Sequence, residues 1–281
     1  MAPVLQSKVV SALPTPLTAD TVYYVRVGTG FDIYVTNHSG TVVASPLNPP
    51  TPLDPDGYPY PPNSASLNIV TAAGATQNSL GPGTTTAGTV TSGTIAATNY
   101  RTSLLRQQAV SALTAGSPAG PRGASLQYWR GNASGLGGFD VMIRCALTVL
   151  TGHQVQIGLA TLDISADPST LGSSICLAAD ATDVNLQWLT RDGTTANKVD
   201  TGIPKTTTNV LRVRFVAAAN GSSVAARLYD ESAGALLSTA ALSTNLPAST
   251  SFMTIIAKAR NGATTTAAQL DFLRWVGAGG S

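Results

Sequence analysis

The stretch 209–239, NVLRVRFVAAANGSSVAARLYDESAGALLST, limits what this chain can become more than any other. Leu211, Val213 and Phe215 alternate with Arg212, Arg214 and Val216, the period of two that gives a strand one apolar side. Asn220-Gly221 then offers a tight hairpin turn, because both residue types tolerate positive φ, and Val224, Ala226 and Leu228 begin a return strand. A second turn at Ser232-Ala233-Gly234 leads into Leu236-Leu237. The spacing predicts a β-meander whose outer face, with Arg212 and Arg214, meets solvent or a neighbouring copy. Two or three strands bury too little apolar surface to stand alone in water, so the flanking chain must complete a second sheet.

The flanking sequence supplies the strands. Alternating or apolar runs at 124–130, 139–150, 155–162, 175–178, 184–191, 252–259 and 267–276 are separated by turn pairs such as Gly131-Asn132, Thr151-Gly152, Asp192-Gly193 and Asn261-Gly262. Together with the meander this is an all-β pattern, an antiparallel β-sandwich or jelly roll over 100–281. Only 11% of the residues are charged, against roughly 25% in an average soluble domain. Gly, Ala, Ser and Thr take their place, a mixture that suits strands and neutral, hydroxyl-rich surfaces.

Two smaller segments precede the sandwich. Residues 1–48 read as a β-hairpin module: 22–27, a Gly28-Thr29-Gly30 turn, 31–36, and a third strand after Ser39-Gly40. A unit of that size has little core of its own and suits attachment to something larger, with Tyr24, Phe31 and Tyr34 as the attachment candidates. Residues 49–99 begin inside a run of eight prolines between Pro46 and Pro62, which makes an extended spacer. They continue as a Gly/Thr-rich, low-complexity stretch from 64. That stretch is equally compatible with a flexible linker and with a shaft in which three chains bury one another's small residues. Residues 100–121 fit a short helix or an irregular strand.

Several function classes find no footing. A net charge of +2 without a basic block gives no electrostatic case for nucleic acid. No apolar run reaches the roughly 18 residues of a membrane helix, and MAPVLQSKVV lacks the apolar core of a secretory signal. The expectation is therefore a soluble chain made in a cytoplasm, with Cys145 and Cys176 reduced and buried. No motif for a serine nucleophile elbow, a zinc helix or a phosphate loop is present, and nothing calls for a cofactor. His38 and His153 lie beside turns and read as passive. Asp180, Asp183, Asp192 and Asp230 fall in loops, but nothing in sequence pairs them for acid–base work. Asp163, Asp167, Asp180 and Asp183 match no calcium loop, so no metal site is expected.

Binding a sugar makes a different demand, an aromatic platform beside planar polar groups on a rigid sheet or its loops. Trp129-Arg130 before Gly131-Asn132, and Arg191-Asp192, are the receptor-binding candidates. Trp188 shares a strand face with Leu186, and Trp275 with Leu273, so both read as core.

The run Tyr128-Trp129-Arg130-Gly131-Asn132, then Leu136-Gly137-Gly138-Phe139-Asp140, Leu186-Gln187, Asp192-Gly193, the meander from Leu211 and Ser243-Thr244-Asn245-Leu246-Pro247 resemble the C-terminal jelly-roll domain of phage and prophage tail fibre proteins. The resemblance covers about 100–277. The run 13–48 is similar to short N-terminal modules of the same class. What the resemblance implies is a homotrimeric virion appendage without enzyme activity. Its residues 1–48 would sit on a tail or baseplate protein, and its concanavalin-like jelly roll would meet a bacterial surface glycan or pilus. With only some fifty residues between the modules, the implied appendage is short. Two other readings remain from the residues: a capsid decoration or head fibre protein, and, ranked last, a glycan depolymerase.

Overall fold

The computed structural model describes residues 6–12, 14–27, 30–36, 38–40, 42–44, 66–70, 76–80 and 84–279. It divides into two compact units, Met1–Tyr60 and Pro61–Ser281. The proline spacer falls outside the described residues.

The first unit is one four-stranded sheet of β1 (Gln6–Val10), β2 (Thr21–Val27), β3 (Gly30–Thr36) and β4 (Val42–Ala44), in that order. The hairpin β2–β3 and the third strand are as expected. The parallel pairing of β1 with β2 is additional, and QSKVV carries no alternation that announces it. Tyr23 is fully buried, and its hydroxyl accepts the Thr18 amide at 2.7 Å. Thr36 Oγ1 accepts the Thr21 amide and donates to Thr18 O, tying the chain before β2 to the end of β3.

The second unit is an antiparallel sandwich. Its strands are β5 (Ser66–Val70), β6 (Thr76–Leu80), β7 (Thr84–Ala87), β8 (Thr89–Ser92), β9 (Gln107–Val110), β10 (Pro118–Gly123), β11 (Phe139–Thr148), β12 (Gln154–Ala160), β13 (Ser173–Ala179), β14 (Asn185–Asp192), β15 (Ala196–Pro204), β16 (Val210–Ala217), β17 (Val224–Asp230), β18 (Ala235–Leu242), β19 (Thr254–Arg260) and β20 (Gln269–Gly279), with a single helical turn α1 (Tyr100–Ser103) before β9. One sheet has seven strands in the order β15-β14-β13-β12-β19-β10-β7. The other has nine, in the order β18-β17-β16-β11-β20-β5-β6, with β9 on β20 and β8 on β9.

Period-two alternation builds the core between them. Val141, Ile143, Cys145 and Leu147 of β11 and Leu211, Val213 and Phe215 of β16 face Val155, Ile157 and Leu159 of β12 and Ile255, Ala257 and Ala259 of β19. Trp188 and Trp275 are fully enclosed there, Trp188 edge-on to Phe215 and Trp275 edge-on to Phe272. Aromatic pairs in this geometry add about 0.5–1.5 kcal/mol each beyond their buried area. Cys145 and Cys176 are free and buried.

Four expectations change. The segment 64–99, read as linker or three-chain shaft, supplies β5 to β8: β5 pairs with β20, β6 with β5, β7 with β10 and β8 with β9 of the same chain. The run 124–130 is not a strand: β10 precedes it, and only a Tyr128–Met253 bridge connects it to the sheet. The β16–β17 connection spans residues 218–223, and Asn220 (φ 55°) is its residue with positive φ, so the turn is wider than the two-residue form. Leu273 faces away from Trp275, because β20 bulges against β11 between Arg144 and Cys145 and so shifts its alternation by one residue.

The meander's outer face also departs from expectation. Arg212 and Arg214 are 5% and 3% exposed. The guanidinium of Arg212 lies 4.1 Å from the Tyr229 ring centroid and 3.3 Å from Glu231, and Arg214 makes a two-pronged ion pair with Asp140 at 2.9 and 2.6 Å. Arg144 reaches the same Glu231 at 2.6 Å. The outward positions of β11, β16 and β17 therefore form a packed ionic layer, in which the flat guanidinium groups lie among aromatic and carboxylate neighbours.

Candidate functional site

A cleft of about 560 Å3 in the second unit opens on the outer side of the nine-stranded sheet. Asp271 on β20 forms its floor. Ala146 of β11 stands beside it on one flank and Gln108 of β9 on the other, and its side chain is 1% exposed. A buried carboxylate must be charge-paired and hydrogen-bonded to persist. Asp271 Oδ2 accepts from Arg101 Nε at 2.8 Å and from Arg106 Nε at 2.9 Å, while Oδ1 accepts from Gln269 Nε2 at 2.6 Å and Gln108 Nε2 at 3.4 Å.

The two arginines arrive on one short segment. A capping box starts α1, with Asn99 Oδ1 accepting the Thr102 amide and Thr102 Oγ1 accepting the Asn99 amide. Leu104 then packs on Ala146, Val210 and Leu273, which anchors the segment to the outer face of the sheet. Arg101 continues to Leu147 O and Thr148 Oγ1, both at 2.9 Å, and Arg106 Nη1 to Thr94 O, Thr102 O and Leu104 O. The rim is completed by Tyr100, Thr208, Asn209, Val210 and Ser232. Tyr100 is 39% exposed.

This arrangement fixes the polarity of the cleft. A carboxylate only accepts, so Gln108 and Gln269 must turn their amide nitrogens toward Asp271, and their carbonyl oxygens are left as acceptors. Hydroxyls of Thr148, Thr208 and Ser232, the Asn209 amide and the Tyr100 ring add donors, acceptors and an apolar plane. Such a surface suits a polyhydroxylated ligand, and its rigid floor needs no reorganisation to bind one.

The sequence-derived candidates lie elsewhere. Arg130 donates to Pro247 O through Nε and Nη2 and to Gly221 O through Nη1, clasping two loops. Burial holds its pKa below the usual guanidinium value. Arg191 is 8% exposed and donates to Ser169 O, Gly172 O and Thr194 O. Asp192 accepts the Thr194 and Thr195 amides and the Thr194 hydroxyl, which together draw its pKa down to about 2. These three are loop fasteners. Trp129 is half-buried and stacks on the exposed ring of Phe252, with centroids 5.0 Å apart and planes 19° from parallel. In the first unit Tyr34 stands opposite Tyr23 and Tyr24 opposite Ile33, so Tyr24 and Tyr34 occupy different faces of the sheet. The Phe31 side chain lies outside the described residues.

Three of the aspartates weighed for calcium, Asp163, Asp180 and Asp183, hold lysines. Lys198 Nζ reaches Asp180 at 2.9 Å and Asp183, and Lys258 pairs with Asp163. Asp167 Oδ1 accepts from Gln154 Nε2 and the Ala181 amide. Beside them Lys205, 1% exposed, donates to His153 O, Asp180 O and Ala181 O at 2.9–3.1 Å. Its ammonium occupies the centre of a carbonyl cage. Among the described residues no group of three His, Cys, Asp or Glu is placed to hold a metal. Burial raises the Cys145 thiol to about 12 and the Cys176 thiol further, so neither is poised as a nucleophile.

No family model matches this chain, and no curated protein matches it. Among solved structures, a protein of unknown function from Shewanella oneidensis MR-1 aligns with TM-score 0.54 at 14% identity, over 83% of this chain and 98% of its own. The likeness is one of fold. Arcelin-5, a lectin-like defense protein from Phaseolus vulgaris, aligns at 0.48 and 9% identity over 77% of this chain and 97% of its own. A Lotus tetragonolobus seed lectin aligns at 0.44 and 8% over 62% and 86%.

Proposed function

We propose that this chain is a receptor-binding or tail fibre protein of a tailed phage, and that its sandwich recognises a bacterial surface glycan through the cleft above Asp271. The observation that carries the glycan reading is the composition of that cleft. An aromatic ring, amide carbonyls and hydroxyls surround a floor whose carboxylate is held by two guanidinium groups and two amides. A carboxylate so engaged serves as a scaffold, and the proposed activity is binding without turnover. The phage setting is supported by the sequence resemblance and by the order of the segments, a small β unit, a proline spacer and a sandwich.

The test uses the labelled full-length chain on cells of candidate bacterial hosts. Saturable binding that purified surface polysaccharide competes away, and that Tyr100→Ala weakens, is the expected result. Absence of binding to any host cell, or release of reducing sugar ends from the polysaccharide, would overturn the proposal.

A further inference from the structure

The cleft floor carries an imbalance of charge. Arg101 and Arg106 bring two positive charges to one carboxylate, Asp271, which leaves one positive charge over. All three side chains are largely withdrawn from water, at 16%, 6% and 1% exposure. The neighbouring acids do not cancel the excess. Glu231 is shared by Arg144 and Arg212, and Asp230 accepts from the Ser232 amide and hydroxyl and the Ala233 amide at the far rim. Counting Arg101, Arg106, Arg144 and Arg212 against Asp271, Glu231 and Asp230 gives four minus three, again one positive charge.

Arg101 is also incompletely used. A guanidinium has five N–H groups. Arg101 spends Nε on Asp271, one Nη1 hydrogen on Leu147 O and one Nη2 hydrogen on Thr148 Oγ1, which leaves one hydrogen on each terminal nitrogen of a residue that lines the cleft. Such a pair of donors matches the two oxygens of a carboxylate. The carbonyl oxygens of Gln108 and Gln269 lie on the same floor and take hydroxyl donors.

Resting on the glycan reading above, we infer that the sugar bound here is acidic: its anionic group, a carboxylate as in uronic or sialic acids, is met by Arg101, and its hydroxyls by Gln108 and Gln269. A partly desolvated site with one positive charge in excess discriminates strongly between a charged and a neutral ligand of equal shape, because in the neutral case that excess stays uncompensated.

The experiment is calorimetric titration of the full chain with oligosaccharides of glucuronate, galacturonate and sialate, each beside its carboxyl-reduced counterpart, at low and high salt. At least one acidic form is expected to bind about tenfold or more tighter than its reduced counterpart, with the gap narrowing as salt rises. Arg101→Met is expected to erase the gap between the acidic and the reduced form. The comparison of ligands stands without that variant if it folds poorly. Equal affinity for acidic and reduced forms overturns the acidic preference and leaves glycan binding in place. Binding of neither form anywhere in the panel counts against the glycan reading itself.

Discussion

At the scale of single residues, three buried ionisable groups decide how the sandwich is fastened, and each makes a prediction. Asp271→Asn leaves Arg106 enclosed without its counter-charge. Loss of one partner from a buried pair costs about 3–5 kcal/mol, so the denaturant midpoint should fall sharply at constant slope. Lys205→Met removes the donor shared by three carbonyls and should cost about 3 kcal/mol. Excess chelator should leave the Tm of the parent chain unchanged, since the cation there is covalently its own. His153 is fully buried, accepts the Leu150 amide through Nδ1, and is held by desolvation below the usual histidine pKa. As pH falls from about 6.5 toward that depressed value, the unfolded chain takes up a proton that the folded chain resists. Stability should decline across that window and level off beneath it, and His153→Gln should flatten the slope in a pH series of denaturant melts. None of these roles was legible in the sequence. His153 read as a passive loop residue and Asp271 as one more position in a strand, because the partners of both come from distant segments.

At the scale of elements, the strands with clear alternation were legible and those without it were not. The meander, β11, β12 and β14 stand where their period of two places them, and Trp188 is core as expected. What escaped depends on neighbours. β15 is an edge strand whose exposed positions need no apolar period, and β5, β7 and β8 take their places by pairing to β20, β10 and β9, with β6 added on β5. Glycine in mid-strand is the clearest local signature of close approach. In β12, Gly158 has φ 150°, and a Cβ there would collide with Ile175 O and Cys176 Cα of the adjoining β13. Gly158→Ala should therefore destabilise the sandwich by about 3 kcal/mol or prevent its folding, as read from denaturant melts or soluble yield.

At the scale of the whole molecule, the all-β fold class was readable from the strand alternation and the recurrence of turn pairs, and the structure divides at Tyr60–Pro61. The proposed site was not readable. It is assembled from 99–108, 148, 208–210, 232 and 269–271, stretches that adjoin only when β9, β11, β16 and β20 lie in one sheet. The aromatic-and-planar-polar rule pointed to Trp129, Arg130, Arg191 and Asp192, and the last three of these secure loops. The same chemistry of ring, amide and guanidinium reappears around Tyr100, where it lines an open cleft. The most direct measurement of that claim is the affinity of the full chain for a polysaccharide it binds, compared with Tyr100→Ala/Asn209→Ala, two rim positions outside the Asp271 network. An affinity lowered about tenfold or more with Tm unchanged is the predicted result. Unchanged affinity in that double variant would contradict the assignment of the cleft as the binding site.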